Sequence, residues 1–168
     1  MNPTVELFPE IISILPIKLI GLKITTSLSE NKTFMLWNSF MKRRHEIENK
    51  TNDNFYSIQV YHPTLNFNDF TPQTRFDKLA TVSVSDYLNV PESMERYALD
   101  GGLYAKFLFI GNSNHTELFF NTVFNHWFPD SNYEVDNTRP HFEILGEKYN
   151  RNSEFSEEDI FIPIKNKR

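Results

Sequence analysis

Glu143 is the residue of this chain best placed to do chemistry. It stands in His141-Phe142-Glu143-Ile144-Leu145, where polar and apolar side chains alternate as on a short strand. A carboxylate among aromatic rings can hold a cation. If burial raises its pKa toward neutrality, it can also act as a general base on water. The five histidines (His45, His62, His115, His126 and His141) show neither H-x-x-x-H nor a carboxylate at ligand spacing on one element. No metal site is expected from them. Ser83 and Ser85 lie outside any G-x-S-x-G elbow. Gly101, Gly102 and Gly111 fit turns rather than a phosphate loop, and no Walker-type lysine follows them. No cofactor is expected.

Composition narrows the partners. The 168 residues carry 22 acidic and 17 basic side chains, a net charge of −5 that argues against the basic stripe of a nucleic-acid binder. Aromatic residues make up 15% of the chain and 16 residues are Phe, which suits a pocket for flat ligands as well as a core. The absence of cysteine excludes disulfides, zinc-thiolate sites and a cysteine nucleophile. The N-terminus lacks the charge and cleavage pattern of a signal peptide, and no apolar run reaches the roughly 18 residues of a membrane span. A cytoplasmic protein is expected.

The elements that position these residues are legible from periodicity. Glu95–Pro129 reads as a strand, a hairpin turn at Asp100-Gly101-Gly102, a second strand stopped at Gly111, and a helix. That helix places Phe120, Val123, Phe124 and Trp127 on one face and is expected to stop at Pro129. Earlier, Ile11–Ile14 reads as an edge strand and Ile17–Thr26 as a full strand. A helix follows from about Lys32 to about Glu48, then strands Phe55–Tyr61 and Phe76–Val84. The chain closes with loop Asn132–Thr138, strand His141–Leu145, a polar loop Gly146–Ser156 and strand Asp159–Ile164. The order β-α-β-β therefore occurs twice. Trp37, Phe40, Met41 and Arg44 fall on Phe120, Val123, Phe124 and Trp127 with a constant offset of 83 residues. An α+β fold is predicted: a duplicated β-α-β-β unit with two helices packed on one face of the sheet. The whole of 1–168 forms one domain, with 1–9 and 166–168 as loose tails.

Alternation sorts the strands into two faces. Tyr56, Ile58 and Val60 are expected to share a helix-packed face with Ala105, Phe107, Phe109, Phe142 and Ile144, and with Ile160, Ile162 and Ile164. The other face would carry Phe55, Tyr61, Tyr104, Glu143 and Phe161, with Gln59, Lys106 and His141. A wholly solvated face has no need of those rings. An aromatic-walled cleft with one carboxylate suits a flat, hydrophobic, neutral or cationic ligand. Lys106 is the alternative partner for Glu143.

At these residues the chain resembles the GyrI-like small-molecule-binding domain. This is the effector-binding domain of AraC-type and MerR-type regulators and of stand-alone bacterial proteins, with a SOUL/GyrI-like fold. The resemblance runs from about residue 8 to 165. It rests on IKLIGLKITTS, TFMLWNSFMKRR, FDKLATVSVSD, MERYALDGGLYAKFLFIG, NHWFPDSNYEV, HFEIL and DIFIPIK in order. It implies a curved antiparallel sheet and a ligand cleft between the halves. The family's strand glutamate falls on Glu143, with Leu145 where an aromatic is frequent. Tyr104 matches the tyrosine of G-x-Y-A and Trp127 the tryptophan of W-x-P. The stand-alone form has no room for a helix-turn-helix module, so direct DNA binding is not expected. The expected function is binding of a small molecule by Glu143, Tyr104, Tyr61, Phe55 and Phe161, with Trp37 at the edge. One alternative is hydrolysis of reactive cyclopropane-containing compounds in the same cleft, with Glu143 as base and Asp159 as a candidate second acid. Another is a protein-binding module of gyrase-inhibitor type, with the acidic cluster Glu154, Glu157, Glu158 and Asp159 meeting the protein partner.

Overall fold

The structure, a computed structural model, describes residues 4–5 and 8–168, with residues 4, 5 and 114 described by their backbone alone. The first half contributes β1 (Thr4–Val5), β2 (Glu10–Ile14), β3 (Ile17–Thr26), α1 (Thr33–Arg43), β4 (Phe55–Val60) and β5 (Phe76–Ser83). The second contributes β6 (Glu95–Leu99), β7 (Gly102–Ile110), α2 (Thr116–Thr122), β8 (Tyr133–Val135), β9 (His141–Leu145) and β10 (Glu157–Asn166). The strands form one antiparallel sheet of order β1-β7-β10-β9-β4-β5-β3-β6, with β2 also on β7 and β8 also on β10.

The duplication is visible in the pairing. The first half orders its strands β3-β5-β4 and the second β7-β10-β9, and β4 meets β9 in the middle. The helices obey the expected offset, since the buried Leu36 and Phe40 of α1 correspond to the buried Phe119 and Val123 on α2 and the turn that follows it. Each helix seals one apolar cluster. Leu36 and Phe40 pack on Ile20, Ala80 and Val82, while Phe119 and Val123 pack on Phe107, Phe109 and Ile162.

The sheet curls because its two ends belong to one stretch of chain. β6 pairs with β3 and β7 with β2, so Asp100-Gly101 is a corner between strands that do not pair with each other. The hairpin expected there does not form, because each flanking strand finds a better-matched neighbour. The glycines still serve the bend: Gly102 has φ +147°, and a Cβ on Gly101 would lie 2.4 Å from the Ile14 carbonyl. A third core fills the curl. It gathers Leu19, Leu99 and Tyr104 from the two ends of the sheet with Tyr56, Ile58, Phe142 and Phe161 from its middle.

That third core corrects the expected faces. Both sides of this sheet are buried, so the apolar side of one strand is not the apolar side of the next. Register places Ser57 opposite Glu143, and Glu143 opposite Ile160. The polar sides of β4 and β9 therefore face the helices, and their apolar sides face the curl.

Smaller differences have local causes. Pro129 does not end the helix. A π-turn over Val123–Trp127 carries it into a last turn, Phe128–Asp130, which contains Pro129. The loop expected over 132–138 contains β8, held by β10. Both expected tails make contacts where they are described. Thr4 and Val5 pair with Ile110 and Phe109, while residues 1–3 and 6–7 lie outside the described residues. β10 runs to Asn166, and Lys167 donates from Nζ to the carbonyls of Phe128, Pro129 and Ser131 at 2.9, 3.2 and 2.7 Å. A cation suits these helix-terminal carbonyls. Among the described residues no helix is long and apolar enough to cross a membrane.

Candidate functional site

Because α1 covers β3 and β5 while α2 covers β7 and β10, the middle strands β4 and β9 lie between the two helices. Their helix-side residues are Ser57, Gln59, His141 and Glu143, a polar band between two apolar clusters. Lys78 joins the band from β5, opposite Gln59. Glu158 joins it from β10, two residues before Ile160, which stands opposite Glu143.

Aromatic rings wall the band at both ends. Phe55 meets Trp37 of α1 edge-on at 6.1 Å and Phe40 at 6.4 Å. At the other end Tyr61 contacts Phe67 and Phe76 at 5.1 Å each and His141 at 4.8 Å. Two connections cross from one half to the other. The β4–β5 loop sends Phe67 onto Phe124 of the second helix at 5.0 Å. The β9–β10 loop sends Arg151 over Phe34 of α1 at 4.9 Å. A surface hollow of about 330 Å³ is lined by Phe55 itself with Arg44, His45 and Lys50; another, of about 500 Å³, lies beside Met94 and Tyr97.

The electrostatics of the band are unusual for a sheet surface. Glu143 is half-buried, and its Oε2 is buried with no hydrogen-bond partner. Burial raises its pKa, while the Lys78 charge and a hydrogen bond with Gln59 pull the other way. Glu158 is buried and pushed up to about 8, first by burial and then by the Glu143 charge, with Lys78 opposing. Burial lowers the pKa of Lys78 against the pull of both carboxylates. Burial also holds His141 at about 3, hence neutral. Asn137 donates from Nδ2 to the Leu65 carbonyl, which leaves its Oδ1 to accept from His141 Nε2 at 2.7 Å.

The structure places Glu143, Tyr61, Phe55 and Trp37 on the helix-packed side of the sheet. Tyr104 and Phe161 lie on the opposite face, inside the curl. There the Tyr104 hydroxyl donates to Pro140 O at 2.8 Å, and Phe161 stacks on Phe142 at 4.4 Å and 6°. Their strands were sorted correctly one by one but joined to the wrong neighbours. Lys106 shares that opposite face, 3.9 Å from Glu10, and is no partner for Glu143. The acidic cluster also divides. Glu157 pairs with Lys148 at 3.3 Å, Asp159 faces the curl side, and Glu158 is buried on the helix side. The second carboxyl group on the side of Glu143 is therefore Glu158 and not Asp159. Sequence reasoning missed Lys78 altogether; a lysine inside Phe76–Ser83, a strand otherwise rich in apolar residues, was the available signal.

A sequence profile of the GyrI-like small molecule binding domain matches residues 8–165. The chain belongs to this family. Solved structures of the same fold include an integron cassette protein from the mobile metagenome of Vibrio cholerae. It is 16% identical with a TM-score of 0.70, and the match covers 98% of this chain and 100% of that one. SAV2435 bound to tetraphenylphosphonium is 11% identical with a TM-score of 0.73, covering 94% of each chain. The C-terminal domain of EcmrR is 10% identical with a TM-score of 0.70, covering 99% of this chain and 100% of that one. No curated protein matches in sequence. As a GyrI-like domain the chain is a small-molecule-binding module, and its interhelical band carries a glutamate, a lysine and aromatic rings.

Proposed function

We propose that the cleft between the two helices is the ligand seat, and that it binds a largely apolar, ring-bearing molecule through Glu143. One observation carries this reading: Glu143 keeps a buried oxygen without a hydrogen-bond partner, between the aromatic ends of the cleft. A buried acceptor left unmatched costs about 1–3 kcal/mol, which a ligand donor or cation recovers on binding. Trp37, Phe55 and Tyr61 supply the apolar contact. SAV2435 was solved with tetraphenylphosphonium, a lipophilic cation, so that compound is the first probe. It is expected to raise the melting temperature, since a ligand that binds only the folded state stabilises it. Glu143→Gln is expected to weaken binding by about 1–3 kcal/mol. Equal affinity of wild type and variant for every cationic binder would remove Glu143 from the seat.

A hydrolytic reading is favoured by a different observation, the second carboxyl group in the same cleft. Glu158, held protonated near neutral pH, has the proton a general acid needs, and Glu143 has the lone pair a base needs. Mass analysis of each bound compound after incubation separates the two readings. An unchanged mass for all of them rejects turnover.

A further inference from the structure

The cleft is polarised as well as charged. Lys78 and Glu158 enter it from opposite sides of the central pair of strands, and the repeat makes their positions equivalent. Lys78 lies two residues before Ala80, which pairs with Ser57; Glu158 lies two residues before Ile160, which pairs with Glu143. Ser57 and Glu143 in turn face each other across the middle of the sheet. The duplicated fold thus aims two related strand positions at one cleft, and this chain fills one with a cation and the other with an acid.

None of the ion pairs among the described residues involves Lys78. Glu143 likewise keeps its buried oxygen unmatched. Charged groups in a half-buried band between apolar clusters are normally paired or absent. Glu158, at about 8, is mostly neutral at pH 7. Lys78 and Glu143 therefore set a basic and an acidic group at separate points of the band. A plain cation gains from Glu143 and is repelled by Lys78; a plain anion meets the reverse. A molecule carrying both signs gains at both ends.

We propose that the cleft selects amphoteric ligands, with a carboxylate or similar anion set against Lys78 and a cationic or hydrogen-bond-donating ring system set against Glu143 and Glu158. This rests on the ligand seat proposed above and names its ligand class. Lys78 is then the residue that determines specificity, and the aromatic walls accept the ring system without discriminating between ring types.

Rhodamine 110 and rhodamine 123 test it directly. They share one cationic ring system; the first carries a free carboxylate and the second its methyl ester. Fluorescence anisotropy on the full chain is expected to show rhodamine 110 bound about tenfold more tightly, or better, a difference of about 1.4 kcal/mol. Lys78→Met should erase or invert that ratio, and Lys78→Arg should keep it. Glu143→Gln should weaken both dyes. Rhodamine 123 bound as tightly as rhodamine 110 by the wild-type protein overturns the inference, as does a preference that survives Lys78→Met. Tetraphenylphosphonium binding with neither dye bound overturns the amphoteric class alone and leaves the seat standing. If none of the three compounds binds, the seat fails and this inference fails with it.

Discussion

The two faces of the sheet carry similar residues and treat them in opposite ways. Inside the curl, rings pack on one another and the polar groups of Tyr104 and Arg139 are matched. Phe142 lies parallel to Phe161, Tyr104 gives its hydroxyl proton to Pro140 O, and Arg139 covers the Tyr104 ring while donating to Leu103 O and Ile164 O. Between the helices the rings are as numerous, but they surround Glu143, Lys78 and Glu158, and one buried carboxylate oxygen goes unmatched. Rings alone do not mark the proposed ligand seat; the unmatched oxygen of Glu143 does, because only a missing partner leaves favourable interactions for a ligand to make.

The comparison can be broken most easily at its stable side. Phe161→Ala inside the curl is expected to cost about 3–5 kcal/mol in denaturant unfolding, as for a large ring removed from a closed core. Trp37→Ala at the cleft should cost distinctly less in stability and more in tetraphenylphosphonium affinity. Equal stability losses at the two positions would erase the distinction between the faces.

A charge test comes next. Glu158 has its folded pKa, about 8, above the value of 4.5 for the free side chain. Its contribution to stability is therefore complete below about 4.5 and is lost as pH rises through 8, with a slope of at most about 1.4 kcal/mol per pH unit. Glu158→Gln should flatten that decline, giving a variant whose stability relative to wild type improves from pH 5 to pH 8 by a few kcal/mol. A parallel pH profile for the two proteins would contradict a buried carboxyl at this position. His141 works on the acid side: its pKa is depressed to about 3, so its contribution holds above about 6.5 and is lost as pH falls toward 3.

Smaller effects sharpen the contrast. Tyr104→Phe strands the Pro140 carbonyl inside the curl and should cost about 1–3 kcal/mol in stability without changing ligand affinity. A changed affinity would return Tyr104 to the binding site. Arg151→Ala loosens the β9–β10 loop from Phe34, an exposed contact of about 0.5–1 kcal/mol. Stopped-flow measurement should show faster ligand dissociation with little loss of stability. An unchanged rate would mean that this contact plays no part in ligand release.

Several features needed nothing beyond the order of residues. Apolar spacing disclosed two helices with matching faces at an offset of 83, and the same offset relates Leu36 and Phe40 to Phe119 and Val123 in the folded protein. Alternation marked His141–Leu145 as a strand and separated Glu143 from Phe142. The glycines at 101 and 102 marked a sharp change of direction. All of these are local: they depend on backbone conformation and on neighbours within a turn or two, which a periodic pattern records.

What lay beyond reach was relative. Alternation states that Tyr104 and Ala105 point to opposite sides of β7, and that Glu143 and Phe142 do so on β9. It does not state which side of one strand matches which side of the other. That depends on the registers Glu143↔Ile160 and Ile162↔Ala105, made across long stretches of chain. A sheet exposed on one face would have disclosed the match through a polar side. This sheet is curled round a third core and buried on both, so the cue vanished. Lys78 and Glu158 were hidden for the same reason. Each is an unremarkable charge within its own strand, and only the curl and the meeting of β4 with β9 bring them to the same side of the sheet as Glu143. The sequence by itself determined the repeated unit, its helices and the strand that carries the Glu143 carboxylate. The tertiary structure alone decided which charges surround that carboxylate, because the position of a charge across a sheet is set by strand pairing and not by distance along the chain.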